Sequence, residues 1–409
     1  MILGNAIIGQ SGGPTSVINS SLAGVFKSMR DAGCARVYGM RNGIEGLLGG
    51  RYVNLGDYVS TDLDIELLKR TPSSFLGTCR YKLPTAEQSP ETYERIFAIL
   101  RELEVGYFFY IGGNDSMDTV MRLSRYGREI GSDVRFMGVP KTIDNDLADT
   151  DHTPGYGSAA KYIATAMKEI IRDARTYPGS SVTVVEIMGR NAGWLTAASS
   201  LARSEDCDGP DLIYLPERTF DYGKFLDDVK ERLRVGGAVV VATSEGVRTS
   251  DGRYVCEANK RGTVTDAFGH KLLGGTALYL SDFLTDAAGV KSRGIVLSTL
   301  QRCASHLVSR RDITEAYMAG ADAALAALAG ETGKMIIFKR ISDNPYSMVT
   351  GVADIEQIAN KERCVPDEWI TEDGAGIKPA FDTYARPLLI GELSPFMVDG
   401  LPRHLFIDK

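Results

Sequence analysis

Gly106-Tyr-Phe-Phe-Tyr-Ile-Gly-Gly-Asn-Asp-Ser-Met-Asp-Thr119 reads as a strand that stops at a glycine pair and gives way to polar residues able to cap a helix beginning near Met117. Four other apolar runs share this design: Val134-Arg-Phe-Met-Gly-Val139, Val182-Thr-Val-Val-Glu-Ile187, Ala238-Val-Val-Val-Ala-Thr243 and Gly294-Ile-Val-Leu-Ser298. Each ends at a glycine or a polar cluster. Several precede helical spacing, as where Ile163, Met167, Ile170 and Ile171 recur within residues 161–174. Strands alternating with helices in this way predict an α/β protein with mostly parallel sheets, whose ligands sit beyond the carboxyl ends of the strands.

The chain of 409 residues is long enough for about two or three domains. Its 44% hydrophobic and 24% charged residues are ordinary for a folded protein. The formal net charge is -7 and no dense basic run occurs, which argues against nucleic acid as a partner. Six cysteines (Cys34, Cys79, Cys207, Cys256, Cys303 and Cys364) are too scattered for a zinc or thioredoxin-like motif and read as reduced thiols. The first residues lack a basic flank, and no apolar run approaches the roughly 20 residues that span a bilayer, so a cytoplasmic setting without membrane contact is expected. Residues 216–230, 250–271 and 372–399 resemble insertions or peripheral elements.

Three segments carry chemistry. After the first quoted strand, Gly112 and Gly113 let backbone amides approach an anion while the next helix aims its positive end at the same place, although a plain tight turn would look similar. In Val139-Pro-Lys-Thr-Ile-Asp-Asn-Asp146, the carboxylates of Asp144 and Asp146 are spaced so that one can take a proton while the other helps hold a cation. A solvated acidic loop is the plain alternative. A calcium loop is not, because the sixth position from Asp144 lacks glycine and the twelfth lacks glutamate. In Glu186-Ile-Met-Gly-Arg-Asn-Ala-Gly-Trp194, Arg190 can receive a charged substrate or serve structure alone. Ser244-Glu-Gly246 ends another strand, and Arg293 and Arg302 flank a further one, suited to anions. An anion cradle, paired carboxylates and several arginines together fit phosphoryl transfer, where cations offset the moving charge and a carboxylate activates the accepting hydroxyl.

In order and spacing these motifs resemble the 6-phosphofructokinase family over roughly residues 5–350: Ser11-Gly-Gly13, Arg80, Gly112-Gly113, Thr142-Ile-Asp-Asn-Asp146, Met188-Gly-Arg190, Glu245 and Arg302. The resemblance implies the phosphofructokinase fold, two Rossmann-like three-layer domains. A phosphoryl-donor-binding domain would take residues 1–155 and about 301–350, and a sugar-phosphate-binding domain about 156–300 and 351–409. It implies magnesium-assisted, reversible phosphoryl transfer to the 1-hydroxyl of fructose 6-phosphate, with Asp144 as general base and Lys141, Thr142 and Arg190 also catalytic. The donor would meet Gly12, Gly13, Arg80, Gly113, Asn114, Asp115, Ser116 and Lys141. The sugar would meet Thr142, Asp144, Asp146, Met188, Gly189, Arg190, Glu245 and Thr299, with Arg293 and Arg302 on its 6-phosphate. Asn114, Asp115 and Asp146 are the metal candidates, and some of the family's arginines act across a subunit boundary, implying a homodimer or homotetramer.

The donor is indicated by two positions. ATP-using members carry glycine where Asp115 and Lys141 stand here, leaving space for the nucleotide's α-phosphate, and filling both resembles the pyrophosphate-dependent branch. This sequence also departs from the family's pattern. Asn114 replaces a frequent metal-binding aspartate, Ser181 an arginine, Thr299 a histidine or tyrosine, and Cys303-Ala304 a Gly-Gly, while Ala23 and Lys27 replace effector-binding arginines. The rivals are an ATP-dependent enzyme and a noncatalytic sugar-phosphate-binding subunit. A dinucleotide oxidoreductase is weaker still, because the glycine pair does not continue as G-x-G-x-x-G.

Overall fold

The computed structural model describes residues 4–258 and 273–407. Its strands are β1 (Asn5–Gln10), β2 (Val37–Met40), β3 (Tyr52–Asn54), β4 (Val105–Gly112), β5 (Arg135–Pro140), β6 (Ser181–Ile187), β7 (Leu212–Tyr214), β8 (Ala238–Ser244), β9 (Lys291–Val296), β10 (Lys334–Asp343) and β11 (Tyr346–Asp354), followed by a two-stranded hairpin of Met397–Val398 and Leu401–Pro402. They form a seven-stranded sheet in the order β11-β10-β5-β4-β1-β2-β3 and a four-stranded sheet in the order β7-β8-β6-β9. The larger sheet is parallel from β10 to β2 and carries an antiparallel strand at each edge. The smaller one is parallel throughout.

Both sheets are covered on two faces, which explains why their central strands read as nearly continuous apolar runs. Along β4, Phe109 and Ile111 pack with helices Ile18–Asp31 and Arg310–Leu328, while Phe108 and Tyr110 face helices Pro90–Glu102 and Asn114–Glu129. Along β6, Val185 and Ile187 face helix Tyr156–Ala174, and Val182 and Val184 face helices Tyr222–Val235 and Thr276–Ala288. This two-residue alternation is the pleat expressed as packing. Helices Ile18–Asp31 and Arg310–Leu328 cross so closely that a Cβ on Gly24 would stand 2.2 Å from the Tyr317 carbonyl oxygen, and one on Gly320 2.0 Å from that of Ser21. Ala23 is buried on the first of these helices, and Lys27 pairs with Asp31.

Several expectations are corrected. Helix Asn114–Glu129 starts three residues before Met117, and β9 ends at Val296 rather than Ser298, whose φ of 49° breaks the strand. Residues 216–230 are no insertion: Phe225 and Val229 of helix Tyr222–Val235 are core. Nor are residues 372–399 peripheral throughout: Phe381, Tyr384 and Leu388 pack on helix Tyr156–Ala174, while Ile390, Met397 and Val398 are exposed. The insertion expected at 250–271 lies largely outside the described residues. The chain does not leave the first sheet at residue 351. β11 continues to Asp354, Ile355 and Ile358 enter that sheet's core, and Ile407 returns to it. The six cysteines are free, and among the described residues no helix is long and apolar enough to cross a membrane.

His152 is buried at the junction of these layers, with Nδ1 2.8 Å from Asp151 Oδ2 and Nε2 2.8 Å from Glu315 Oε2. Arg340 reinforces Asp151 at 2.9 Å, and the Tyr346 hydroxyl donates to Glu315 at 2.9 Å. A neutral imidazole can donate to only one of two flanking carboxylates, so this geometry suits the cation. Burial lowers the His152 pKa, but the hydrogen bonds that its ring donates to Asp151 and Glu315 outweigh this and raise the group from 6.5 to about 8. The stabilisation is therefore fully present below the unfolded value and is lost as pH rises through about 8. We expect the stability advantage of the wild type over His152→Gln to shrink by about 2 kcal/mol between neutral-acid and alkaline buffer. Melting curves of both proteins across that range check this; a constant gap would contradict the charged pairing.

Candidate active site

Loops following β1, β4 and β5 of the larger sheet meet loops following β6, β8 and β9 of the smaller one around a cavity of about 440 Å³. This is the crevice beyond strand carboxyl ends where open α/β sheets bind ligands. Gly12, Gly13, Arg80, Gly113, Asn114, Asp115, Ser116, Lys141, Thr142, Asp144 and Asp146 line it from the first side, and Met188, Arg190, Glu245 and Arg302 from the second.

The local causes can be read residue by residue. A Cβ on Gly112 would land 2.0 Å from Ser116 Oγ, so this glycine lets helix Asn114–Glu129 turn back tightly onto β4. The helix then opens its positive end on the cavity. Lys141 is buried and donates from Nζ to the Gly13 carbonyl at 2.8 Å, joining the loops after β5 and β1. Between the paired carboxylates, Asn145 is wholly buried at φ 56°, donating to the Tyr384 hydroxyl at 2.8 Å and accepting from the Thr153 amide at 3.0 Å. That inward anchor leaves Asp144 and Asp146 on the cavity wall. Across the cavity, a Cβ on Gly246 would lie 1.9 Å from the Arg190 carbonyl oxygen, so the turn after β8 can press against the Arg190 backbone only as glycine. The Gly189 amide donates to Glu245 at 3.4 Å, and buried Gln301 accepts from the Met188 amide at 3.1 Å.

Charge is concentrated here. Burial pushes Asp146 up to about 7, helped by Asp144 and Glu362. Burial likewise raises Asp144, against the pull of Lys141, Arg190 and Arg302. Glu245 rises to about 7 through burial. Burial lowers Lys141 to about 8, although Asp144 and Asp146 favour its charged form. Carboxylates and a lysine are thus brought toward the same range, a pattern that accompanies sites of proton transfer.

Not every expected residue joins the cavity. Gly189 stands behind it, and Thr299 is exposed ahead of helix Leu300–Cys303. Arg293 lies on the edge strand β9, half-exposed and 3.7 Å from Asp173. Asn114 does not offer its side chain to a metal: Oδ1 accepts from the Asn360 amide and Nδ2 donates to the Lys361 carbonyl, each at 2.6 Å. The sequence reading missed Asn191, Asn360 and Glu362, which line the cavity, and Arg363, whose guanidinium holds the carbonyls of Asn145, Thr150 and Asp151 at 3.0, 3.0 and 2.6 Å. No local motif marks residues 360–363, which follow the short helix Ile355–Ile358; only their acidic and amide content could have drawn notice.

The phosphofructokinase family pattern matches residues 5–358. This chain belongs to the phosphofructokinase family. It is 40% identical over 405 residues to a pyrophosphate--fructose 6-phosphate 1-phosphotransferase of Methylococcus capsulatus, covering 98% of this chain and 95% of that one. A sulfofructose kinase of Alkalicoccus urumqiensis, another relative, is 33% identical over 89% of this chain and 91% of its own. The crystal structure of a pyrophosphate-dependent phosphofructokinase from Nitrosospira multiformis superposes with a TM-score of 0.87 at 37% identity, covering 98% of this chain and 95% of that one. The phosphofructokinase fold, with its two layered α/β sheets, is therefore the architecture of this chain.

Proposed function

We propose that the chain is a diphosphate:fructose-6-phosphate 1-phosphotransferase, moving a phosphoryl group from pyrophosphate to the sugar 1-hydroxyl. The observation that carries the donor is the pair Asp115 and Lys141 on the cavity wall, with Lys141 Nζ beside the loop of Gly12 and Gly13. A carboxylate there repels a nucleotide's inner phosphate, while the ammonium welcomes a short, free diphosphate. Asp144 takes the proton from the 1-hydroxyl as that oxygen attacks phosphorus. Lys141, Arg80 and the helix end at Asn114 offset the charge of the leaving phosphate, and Thr142 lies beside the transferred group. Met188, Arg190, Glu245 and Arg302 bind the sugar phosphate. Because one phosphoanhydride exchanges for one phosphate ester without a nucleotide, the reaction runs in both directions.

Magnesium suits this cavity in a particular way. Among the described residues, no cluster of three or more His, Cys, Asp or Glu forms a protein cage. Asp115 and Asp146 on the wall would instead hold the ion through one or two carboxylates, with diphosphate oxygens completing its shell. Bound so, the ion would neutralise phosphate charge. The larger sheet, with β1 to β5 and with β10 and β11 through Asp354, supplies the donor half of this reading. A homodimer or homotetramer in the cytoplasm completes it; the outward, half-exposed Arg293 on an edge strand suits a 6-phosphate in a neighbouring copy.

Turnover of the purified chain with pyrophosphate alone, and its near absence with ATP alone, is the expected result of a coupled assay. Equal or better use of ATP would overturn the donor. Offering fructose 6-phosphate and sulfofructose side by side tests the acceptor, and preference for the sulfonate would replace the sugar assignment.

A further inference from the structure

The carboxamide of Asn114, the first residue of helix Asn114–Glu129, is engaged at both ends by backbone from the far end of the chain, the Asn360 amide and the Lys361 carbonyl. Asn360 adds a hydrogen bond from Nδ2 to Asp118 on the same helix at 3.0 Å. Glu362 then lines the cavity and accepts from Asn191 Nδ2 at 3.2 Å, and Asn191 in turn accepts from Arg248 at 2.8 Å. The Arg363 amide donates to the Asp146 carbonyl at 2.8 Å, and the Arg363 carbonyl accepts from Trp194 Nε1 at 2.9 Å. Residues 360–363 are therefore a strap fastened first to the donor helix, next to the carboxylate loop, and last to the sugar side.

Resting on the function proposed above, we infer that Asn114 is a positioning residue: it clips this strap to the donor helix and so holds Glu362 in the wall between the pyrophosphate cradle and the sugar-side loop. A carboxamide carries a donor and an acceptor at its tip, whereas an ionised carboxylate of the same shape carries acceptors alone. An aspartate at 114 would still accept from the Asn360 amide but would turn its other oxygen toward the Lys361 carbonyl oxygen, two acceptors with no proton between them. The sign of Asn114→Asp therefore separates two roles. A metal ligand would improve, because a carboxylate binds magnesium better than an amide. A clip must weaken.

The test uses the full chain carrying Asn114→Asp, Glu362→Ala, Glu362→Gln, or Asn114→Asp with Glu362→Ala. Steady-state kinetics give kcat and the KM for magnesium pyrophosphate, and amide hydrogen exchange is followed at Arg363. Asn114→Asp is expected to raise that KM about tenfold, with a smaller change in kcat, and to speed exchange at Arg363 by a similar factor. Glu362→Ala should raise the KM comparably, Glu362→Gln should recover most of it by keeping the acceptor for Asn191, and the double variant should be no worse than Glu362→Ala alone. An unchanged or lower KM in Asn114→Asp, additive losses in the double variant, or unaltered exchange would overturn the clip. A wild type that does not turn over pyrophosphate would instead remove the functional reading, and exchange, which needs no turnover, would still judge the clip.

Discussion

Asp144→Asn is expected to lower turnover by roughly a hundred- to ten-thousand-fold while leaving the KM for fructose 6-phosphate within a few-fold. Asparagine keeps the size of the side chain and its ability to accept a hydrogen bond, but it cannot take up the proton of the attacking hydroxyl. The surroundings make this residue the choice over Asp146. Burial raises both, but Lys141, Arg190 and Arg302 all favour ionised Asp144, whereas Asp146 is pushed up to about 7 with Asp144 and Glu362 adding to the effect of burial. The paired carboxylates titrate together, so the ionised base is assigned to the member with more cationic neighbours. Initial rates in both directions, with the sugar phosphate varied, check the expectation. Retained turnover would move the proton to another group.

Replacing Asp115 and Lys141 together by glycine should have the second large effect, in opposite directions for two donors. Pyrophosphate turnover is expected to fall by roughly a hundred- to a thousand-fold, because the buried ammonium that joins the Gly13 carbonyl to the region of Asp144 and Asp146 is gone. ATP turnover should become measurable, because removing Asp115 takes both bulk and negative charge from the wall. Asp115→Gly alone should relax exclusion without supplying speed. A coupled assay with each donor, run on protein whose melting temperature shows it folded, reads both effects. Complete rejection of ATP by the double variant would place donor selection elsewhere in the cavity.

Much of the molecule follows from local information. Glycine at strand ends, apolar runs of strand length and carboxylates two residues apart are short-range patterns, and they placed Gly113, Lys141, Thr142, Asp144, Asp146, Arg190 and Glu245 in the loops that meet at the cavity. Even there, the reason for a residue could differ from the expected one, as at Gly112, whose missing side chain makes room for Ser116. Asn114 is a metal candidate only through the family resemblance, and its actual partners lie outside any local window.

The sequence by itself determined the α/β alternation and the strand-end site, because each depends on backbone preference or side-chain chemistry within a few residues, while the donor reading of Asp115 and Lys141 came with the family resemblance. The tertiary structure alone decided which distant groups complete them: Asn114 meets Asn360 across 246 positions, Asn145 meets Arg363 across 218, and His152 meets Glu315 across 163. Such partners are chosen when layers of the fold close and buried polar groups must find one another, a requirement that exists only once the chain has brought them out of water together.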